Sequence, residues 1–300
     1  MNAIGIDIGG TAVKAGLVSS DGSVLDRQSH QSPISADAMA ALLTSIATQY
    51  GSEAAAIGIG CKGVIDPVTT LVRVLPGTLH FLEGLRLAGL TGSTLPTTAD
   101  NDARAAMAGE IRWGAAKGRR NAIMLTLGTG VGGGIVADGQ LLRGATGLAG
   151  HIGHLTVEPD SAHCICGNRG CLETVFSAKA IEAEAFRIIH SGCDSALARM
   201  PSLSCEGVFH AAAAGDAIAQ SIIGKAIRRL GAALAGLLLI FDPEIVILGG
   251  HIAEAGPALF DPLAAELKSR TWPMLRREVP LIRAVGCEGI AGAAALAHAF

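Results

Sequence analysis

Two glycine-rich turns, each entered from an apolar strand, limit most strongly what this chain can fold into. Asp7-Ile-Gly-Gly-Thr11 closes the run Ala3–Ile8, and Gly128-Thr-Gly-Val-Gly-Gly-Gly134 follows Asn121–Leu127. After the first, Ala12–Val18 resumes as a strand, Asp21-Gly22 turns again, and Ser23–His30 completes a three-strand meander. After the second, Ile135-Val-Ala runs into Asp138-Gly139 and repeats the pattern. Strand, glycine turn and strand occurring twice point to two related α/β domains around a central cleft. Such turns offer backbone N–H groups and hydroxyls to phosphate oxygens, which makes Asp7, Gly9, Gly10, Thr11, Gly128, Thr129, Gly130 and Gly132 candidate nucleotide-binding residues. Any tight hairpin uses glycine, so the duplication carries the signal rather than either copy. Asp7 is a candidate Mg²⁺ ligand, directly or through water. Its plainer alternative is a turn aspartate capping backbone amides.

The second constraint is a cysteine cluster. Three of the seven cysteines, Cys164, Cys166 and Cys171, fall within eight residues, and Gly-His-Ile-Gly-His precedes them at residues 150–154. Gly167 and Gly170 permit the tight turns that would aim the thiolates at one point. With His154 they make a Cys₃His set, the closed coordination of a structural zinc. His163, next to Cys164, competes for the fourth position, but only if the backbone folds back. Buried or free thiols are the other reading; a disulfide fits poorly with an odd, scattered remainder. Glu173 stands two residues beyond Cys171, so a metal here would fix a carboxylate in place.

Composition removes other classes. A net charge of −3 without a basic cluster argues against nucleic acid, and 3% aromatic residues leave no stacking platform. Leu230–Phe241, the most apolar run, is too short to span a bilayer, and the first residues lack a signal-peptide pattern. The expectation is a cytoplasmic protein in a reducing compartment, with no membrane partner.

Along the rest of the chain, Ala36–Gln49 reads as a helix and Ala54–Gly60 as a strand. Thr97-Thr-Ala-Asp100-Asn101-Asp102 ends a strand and opens an alanine-rich helix over 103–113. Two carboxylates flanking an amide exceed what one helix cap needs, so Asp102 is a candidate general base and Asn101 its hydroxyl-orienting partner; capping alone is the alternative. Helices follow over 177–190 and 216–241, with a polar connection over 194–205. Glu244–Leu248 is a strand running into Gly249-Gly250, where backbone can approach a flat ligand such as adenine. A helix over 253–270, a strand over 281–285 and a small-residue helix over 289–299 complete the chain.

These motifs together, in this order, resemble the ROK family (repressors, open reading frames, kinases), from the first strand to the last helix. The resemblance implies the actin-like, ribonuclease-H-like ATPase fold. It implies an N-terminal domain over 1–118, with helix 289–300 packing back on it, and a C-terminal domain over 119–288 carrying the zinc loop. It implies a Mg-ATP-dependent kinase acting on the 6-hydroxyl of hexoses or N-acetylhexosamines, usually homodimeric. By the same resemblance Asp102 is the catalytic base, Gly63 and Asn101 contact the sugar, and His154 and Glu173 hold its anomeric side. His154, Cys164, Cys166 and Cys171 become the zinc ligands, in agreement with their spacing.

Three positions depart from the family pattern. His151 stands where a Glu is common, and Gly147–His154 instead resembles bacterial N-acetylmannosamine kinases. Imidazole donates to a hydroxyl or acyl carbonyl as a carboxylate cannot, so the expected sugar is N-acetylmannosamine, with glucose or N-acetylglucosamine as alternatives. Val74 replaces a common Asn. Ala12 replaces the lysine expected after Gly-Gly-Thr, and Lys14 is the nearby candidate on the same strand face. A sugar-responsive regulator shares the fold but would carry a helix-turn-helix before the first glycine turn. An actin-like assembly ATPase would leave the cysteines unexplained.

Overall fold

The computed structural model describes residues 1–286 and 289–298. The expected ends of the second domain (288) and of the last helix (299 and 300) lie outside these residues. In chain order, β1 (Asn2–Ile8), β2 (Ala12–Val18) and β3 (Val24–Gln31) form the meander expected from the turns, followed by α1 (Ala36–Tyr50) and β4 (Ala54–Cys61). Next come β5 (Val64–Ile65), β6 (Val72–Val74), α2 (Leu87–Leu90), β7 (Thr97–Asn101) and α3 (Asp102–Arg112). The later half holds β8 (Ala122–Leu127), β9 (Val131–Ala137), β10 (Gln140–Leu141), α4 (Ala178–Ile189), α5 (Cys205–Ala213) and α6 (Ala217–Phe241). It finishes with β11 (Ile245–Gly249), α7 (Pro257–Leu275), β12 (Leu281–Arg283) and α8 (Ile290–Ala297).

The internal duplication is visible in the two five-stranded sheets, ordered β3-β2-β1-β4-β7 and β10-β9-β8-β11-β12. In the first, β1 pairs antiparallel with β2 and parallel with β4, and β4 pairs parallel with β7. The chain divides into two compact units: Met1–Ala122, Gly134–Gly150 and Ala284–Phe300 form one, and Ile123–Gly133 and His151–Arg283 the other. Among the described residues no helix is long and apolar enough to cross a membrane.

The first unit's core packs Ile4, Ile6 and Ile8 of β1 with Val13, Ile57, Ile59, Met39 and Leu43, all fully buried. Strand alternation sends β1's isoleucines to that face. On the other face Gly16, Gly5 and Gly58 lie side by side across β2, β1 and β4. Gly5 and Gly58 make room for α8, whereas a Cβ on Gly16 would stand 2.2 Å from the Asp26 carbonyl oxygen of β3. A Cβ on Gly5 would stand 2.0 Å from the Ile290 carbonyl oxygen, and one on Gly58 would stand 1.9 Å from that of Ala293. Gly58→Ala therefore drives a methyl group into helix backbone, and we expect a loss of about 1–3 kcal/mol from overpacking. Urea unfolding of the whole protein reads it; an unchanged midpoint would show that α8 can shift without cost.

Two local expectations are corrected. The second glycine turn is confined to residues 128–130, because Val131–Gly134 already belong to β9. Gly134 serves packing: a Cβ there would lie 2.5 Å from Met107 Cβ on α3. The helix expected over 253–270 divides into a 3₁₀ turn at His251–Ala255 and α7, the break falling at Gly256, where φ is +55°.

Candidate active site

The chemistry of the first unit gathers where β4 and β7 end and α3 begins. Cys61 of β4 pairs with Asn101 of β7, and Asp102 is the first residue of α3. The Asn101 side chain caps that helix, its Oδ1 accepting from the N–H groups of Ala103 (3.0 Å) and Arg104 (3.4 Å). Its Nδ2 donates to the Gly63 carbonyl at 3.0 Å. Asn101 is buried and Asp102 is exposed, with Asp102 Oδ1 accepting from Ala103 N at 2.9 Å. The two neighbours thus separate by role: the amide holds the junction together, and the carboxylate faces outward.

Asp100 proves to be structural. Its Oδ1 accepts from Arg104 Nε and from Asn101 N, both at 2.7 Å, and its Oδ2 accepts from Arg143 Nε at 3.1 Å. Arg104 is completely buried and also donates to the Ala149 carbonyl at 2.7 Å. This buried ion pair fixes the strand residue from which Asn101 and Asp102 project.

At the first glycine turn, Gly9 N–H closes the corner on the Ala12 carbonyl at 3.0 Å, which leaves Gly10 and Thr11 at the exposed tip. Asp7 lies directly opposite Lys14 in the β1–β2 ladder. Both line a recess of about 410 Å³ with Arg27 and Gly289. Cys61, fully buried beneath this region, has its thiol pushed up by burial and further by the Asp102 and Asp7 charges, with Lys62 opposing. The Asp7 carboxylate is the right donor for a hard cation such as Mg²⁺.

In the second unit, the turn at Gly128–Gly130 is gripped from several sides. Gly128 N donates to the Gly130 carbonyl at 3.0 Å, and the Gly128 carbonyl accepts from Ala178 N at the start of α4 at 2.9 Å. Glu173 Oε2 accepts from Val131 N at 2.9 Å. A Cβ on Gly130 would stand 2.4 Å from that oxygen, so only glycine lets the carboxylate come so close. Gly130→Ala should displace Glu173 from the Val131 N–H and destabilise the protein by about 1–3 kcal/mol, on the scale of one hydrogen bond to a charged group; urea unfolding measures it. Gly250 has φ +78°, and a Cβ there would meet the Leu127 carbonyl at 2.4 Å. This brings Gly249-Gly250 against the end of β8. His251, which no sequence motif singled out, follows directly, its ring 3.2 Å from a Cβ placed on Gly128.

The metal-ligand set is brought together. The ligand atoms of His154, Cys164, Cys166 and Cys171 all lie within 4.8 Å of one another; exposed His163 is not among them. Cys166 Sγ and Cys171 Sγ are 3.6 Å apart, and Cys164 Sγ is 3.5 Å from His154 Nδ1. Zn–S and Zn–N bonds of about 2.3 and 2.0 Å at tetrahedral angles give edges of about 3.5–3.8 Å, so the residues fit zinc. Burial pushes Cys171 up to about 12 and Cys164 upward. Cys166, exposed and only partly desolvated, is drawn down by the Asn168 N–H and its neighbouring thiols. A bound divalent cation would hold all three as thiolates and lock the loop. Nδ1 faces the sulfurs, which leaves Nε2 of His154 for another partner. The His151 and His154 rings stack, with centroids 6.3 Å apart and planes 19° apart. We expect purified protein to hold stoichiometric zinc, and Cys171→Ser to lose it together with thermal stability. Metal analysis decides; an active, zinc-free preparation would refute the assignment.

The chain matches the ROK family over residues 3–299. It is 38% identical to a glucokinase of Thermotoga maritima, covering 99% of this chain and 97% of that one. It is 34% identical to an N-acetylmannosamine kinase of Escherichia coli, covering 85% and 84%. Among solved structures it resembles a ROK family glucokinase from Streptomyces griseus in complex with glucose and AMPPNP, with a TM-score of 0.83, 30% identity and 99% of each chain covered. It also resembles a ROK family transcriptional regulator, a homologue of the E. coli MLC protein, with a TM-score of 0.86 and 29% identity, covering 98% of this chain and 77% of that one.

Proposed function

The chain belongs to the ROK family, and from that premise we propose that it is an ATP-dependent kinase of the 6-hydroxyl of a hexose or N-acetylhexosamine. The observation that carries the reading is Asp102, an exposed carboxylate on the first turn of α3, its backbone held by a buried cap and ion pair. In the proposed reaction its carboxylate takes the proton of the sugar's primary hydroxyl. That oxygen forms the new bond to the γ-phosphorus, and the bond to the bridging oxygen breaks as ADP leaves with the electron pair. Mg²⁺, carried with ATP and held by Asp7, would offset phosphate charge. Gly10, Thr11 and Lys14 of the first turn, and Gly128, Thr129, Gly130, Gly132, Gly249 and Gly250 of the second unit, are proposed as nucleotide contacts. Gly63, His151, His154 and Glu173 are proposed as sugar contacts. The resemblance also carries the proposal of a homodimer, which light scattering reads directly.

N-acetylmannosamine is the proposed acceptor, because His151 gives a donor for an acyl carbonyl beside the His154 ring. Glucose is the second reading, favoured by the 38% identity to a glucokinase. A coupled ADP-release assay across glucose, mannose, N-acetylglucosamine and N-acetylmannosamine separates them. Highest kcat/KM on N-acetylmannosamine supports the first, and highest on glucose replaces it with the second. No ADP from any sugar would sink the kinase reading and leave a sugar-binding regulator.

A further inference from the structure

Ala12 brings no charge to the first glycine turn, and Lys14 lies in the recess beside Asp7. Another cation reaches that turn. Lys62 follows the last residue of β4 and is half-buried. Its Nζ lies 3.5 Å from a Cβ placed on Gly10 and 3.6 Å from one placed on Gly77. These glycines come from separate turns, and Gly77, with φ +95°, holds a conformation that other residues resist. Thr78 Oγ1 converges on the same point, 3.3 Å from the Gly10 Cβ position. Among the described residues the Lys62 ammonium makes no hydrogen bond and no ion pair. The lysine therefore stands partly out of water, over the tip of a phosphate-type turn, without a counter-charge. Two missing side chains keep that space open.

We propose that Lys62 binds the terminal phosphoryl group of the nucleotide, its ammonium donating to non-bridging oxygens of the γ-phosphate over the Gly10–Thr11 tip. This rests on the kinase reading and names the residue that supplies positive charge to its phosphate. Lys62 leaves β4 one residue beyond Cys61, which pairs with Asn101, the neighbour of Asp102. An ammonium reaching from there to the glycine turn suits that part of the reaction, because the γ-phosphate must meet the hydroxyl that Asp102 deprotonates. A sugar hydroxyl would not need a full cation, and a purely structural lysine would have found a carboxylate or carbonyl.

The experiment compares wild type, Lys62→Met and Lys62→Arg in full-length protein of verified zinc content and unfolding midpoint. Calorimetry with AMPPNP and with ADP reads binding without turnover. The expected result is that Lys62→Met weakens AMPPNP at least tenfold and leaves ADP within about twofold, while Lys62→Arg restores most of the loss. In turnover, Lys62→Met should lower kcat about 10²-fold, the scale of one transition-state donor, and leave the sugar KM unchanged. Equal losses for ADP and AMPPNP, or a rise in sugar KM with AMPPNP affinity intact, would overturn the assignment. Wild type that binds AMPPNP more tightly than Lys62→Met but phosphorylates no sugar would instead sink the kinase reading and keep the phosphate site.

Discussion

Asp102→Asn should lower kcat by about 10²–10⁴-fold, the usual contribution of a positioned general base, with the unfolding midpoint unchanged. The asparagine oxygen can still accept from Ala103 N, so the first turn of α3 keeps its bond. The negative charge and the ability to take a proton are lost. Sugar affinity, measured separately by calorimetry, should stay within a few fold, because in the proposed reaction the carboxylate acts on the hydroxyl chiefly as the phosphoryl group arrives. A variant that keeps more than a tenth of the wild-type rate would assign the base elsewhere. A variant that fails to bind sugar would make Asp102 a binding residue instead.

The second large effect is on stability. Asp100→Ala should destabilise the protein by about 3–5 kcal/mol, the range for breaking a buried ion pair by removing one partner. Arg104 has no exposed surface and would keep only the Ala149 carbonyl, and Asn101 N would lose its acceptor. Arg143, partly exposed, can turn to water. Asp100→Asn retains an acceptor and should cost less, so the pair of variants separates loss of charge from loss of the hydrogen bond. Urea denaturation measures both; a shift for the alanine variant below about 1 kcal/mol would mean that water enters and solvates Arg104.

Much of this was legible in the chain because it depends on spacing. The meander β1–β3, the helix opening at Asp102 and the convergence of Cys164, Cys166 and Cys171 with His154 all follow from short-range geometry. The roles of neighbouring polar residues were not. Asp100, Asn101 and Asp102 look alike in sequence, yet only strand alternation and burial assign them to ion pair, cap and outward carboxylate. Long-range contacts were equally hidden. Nothing local ties Glu173 to Val131, sets the His251 ring against Gly128, or brings Lys62 to Gly10. Glycines were the one clue, since Gly130, Gly128 and Gly10 each mark a place that another residue approaches. The glycine run after residue 130 misled, because residues already inside β9, among them Gly134 packed on Met107, read as turn.

The pair Gly5 and Gly58, open to α8, sets an order on how the protein can be made. A ribosome delivers β1, β2 and β4 long before α8, so one surface of their sheet must stay bare until residues 290–297 arrive. Ala3 and Val18 on that same face stay without their partner Ala294 until then, so the first unit can close its second core only after the rest of the chain has been made.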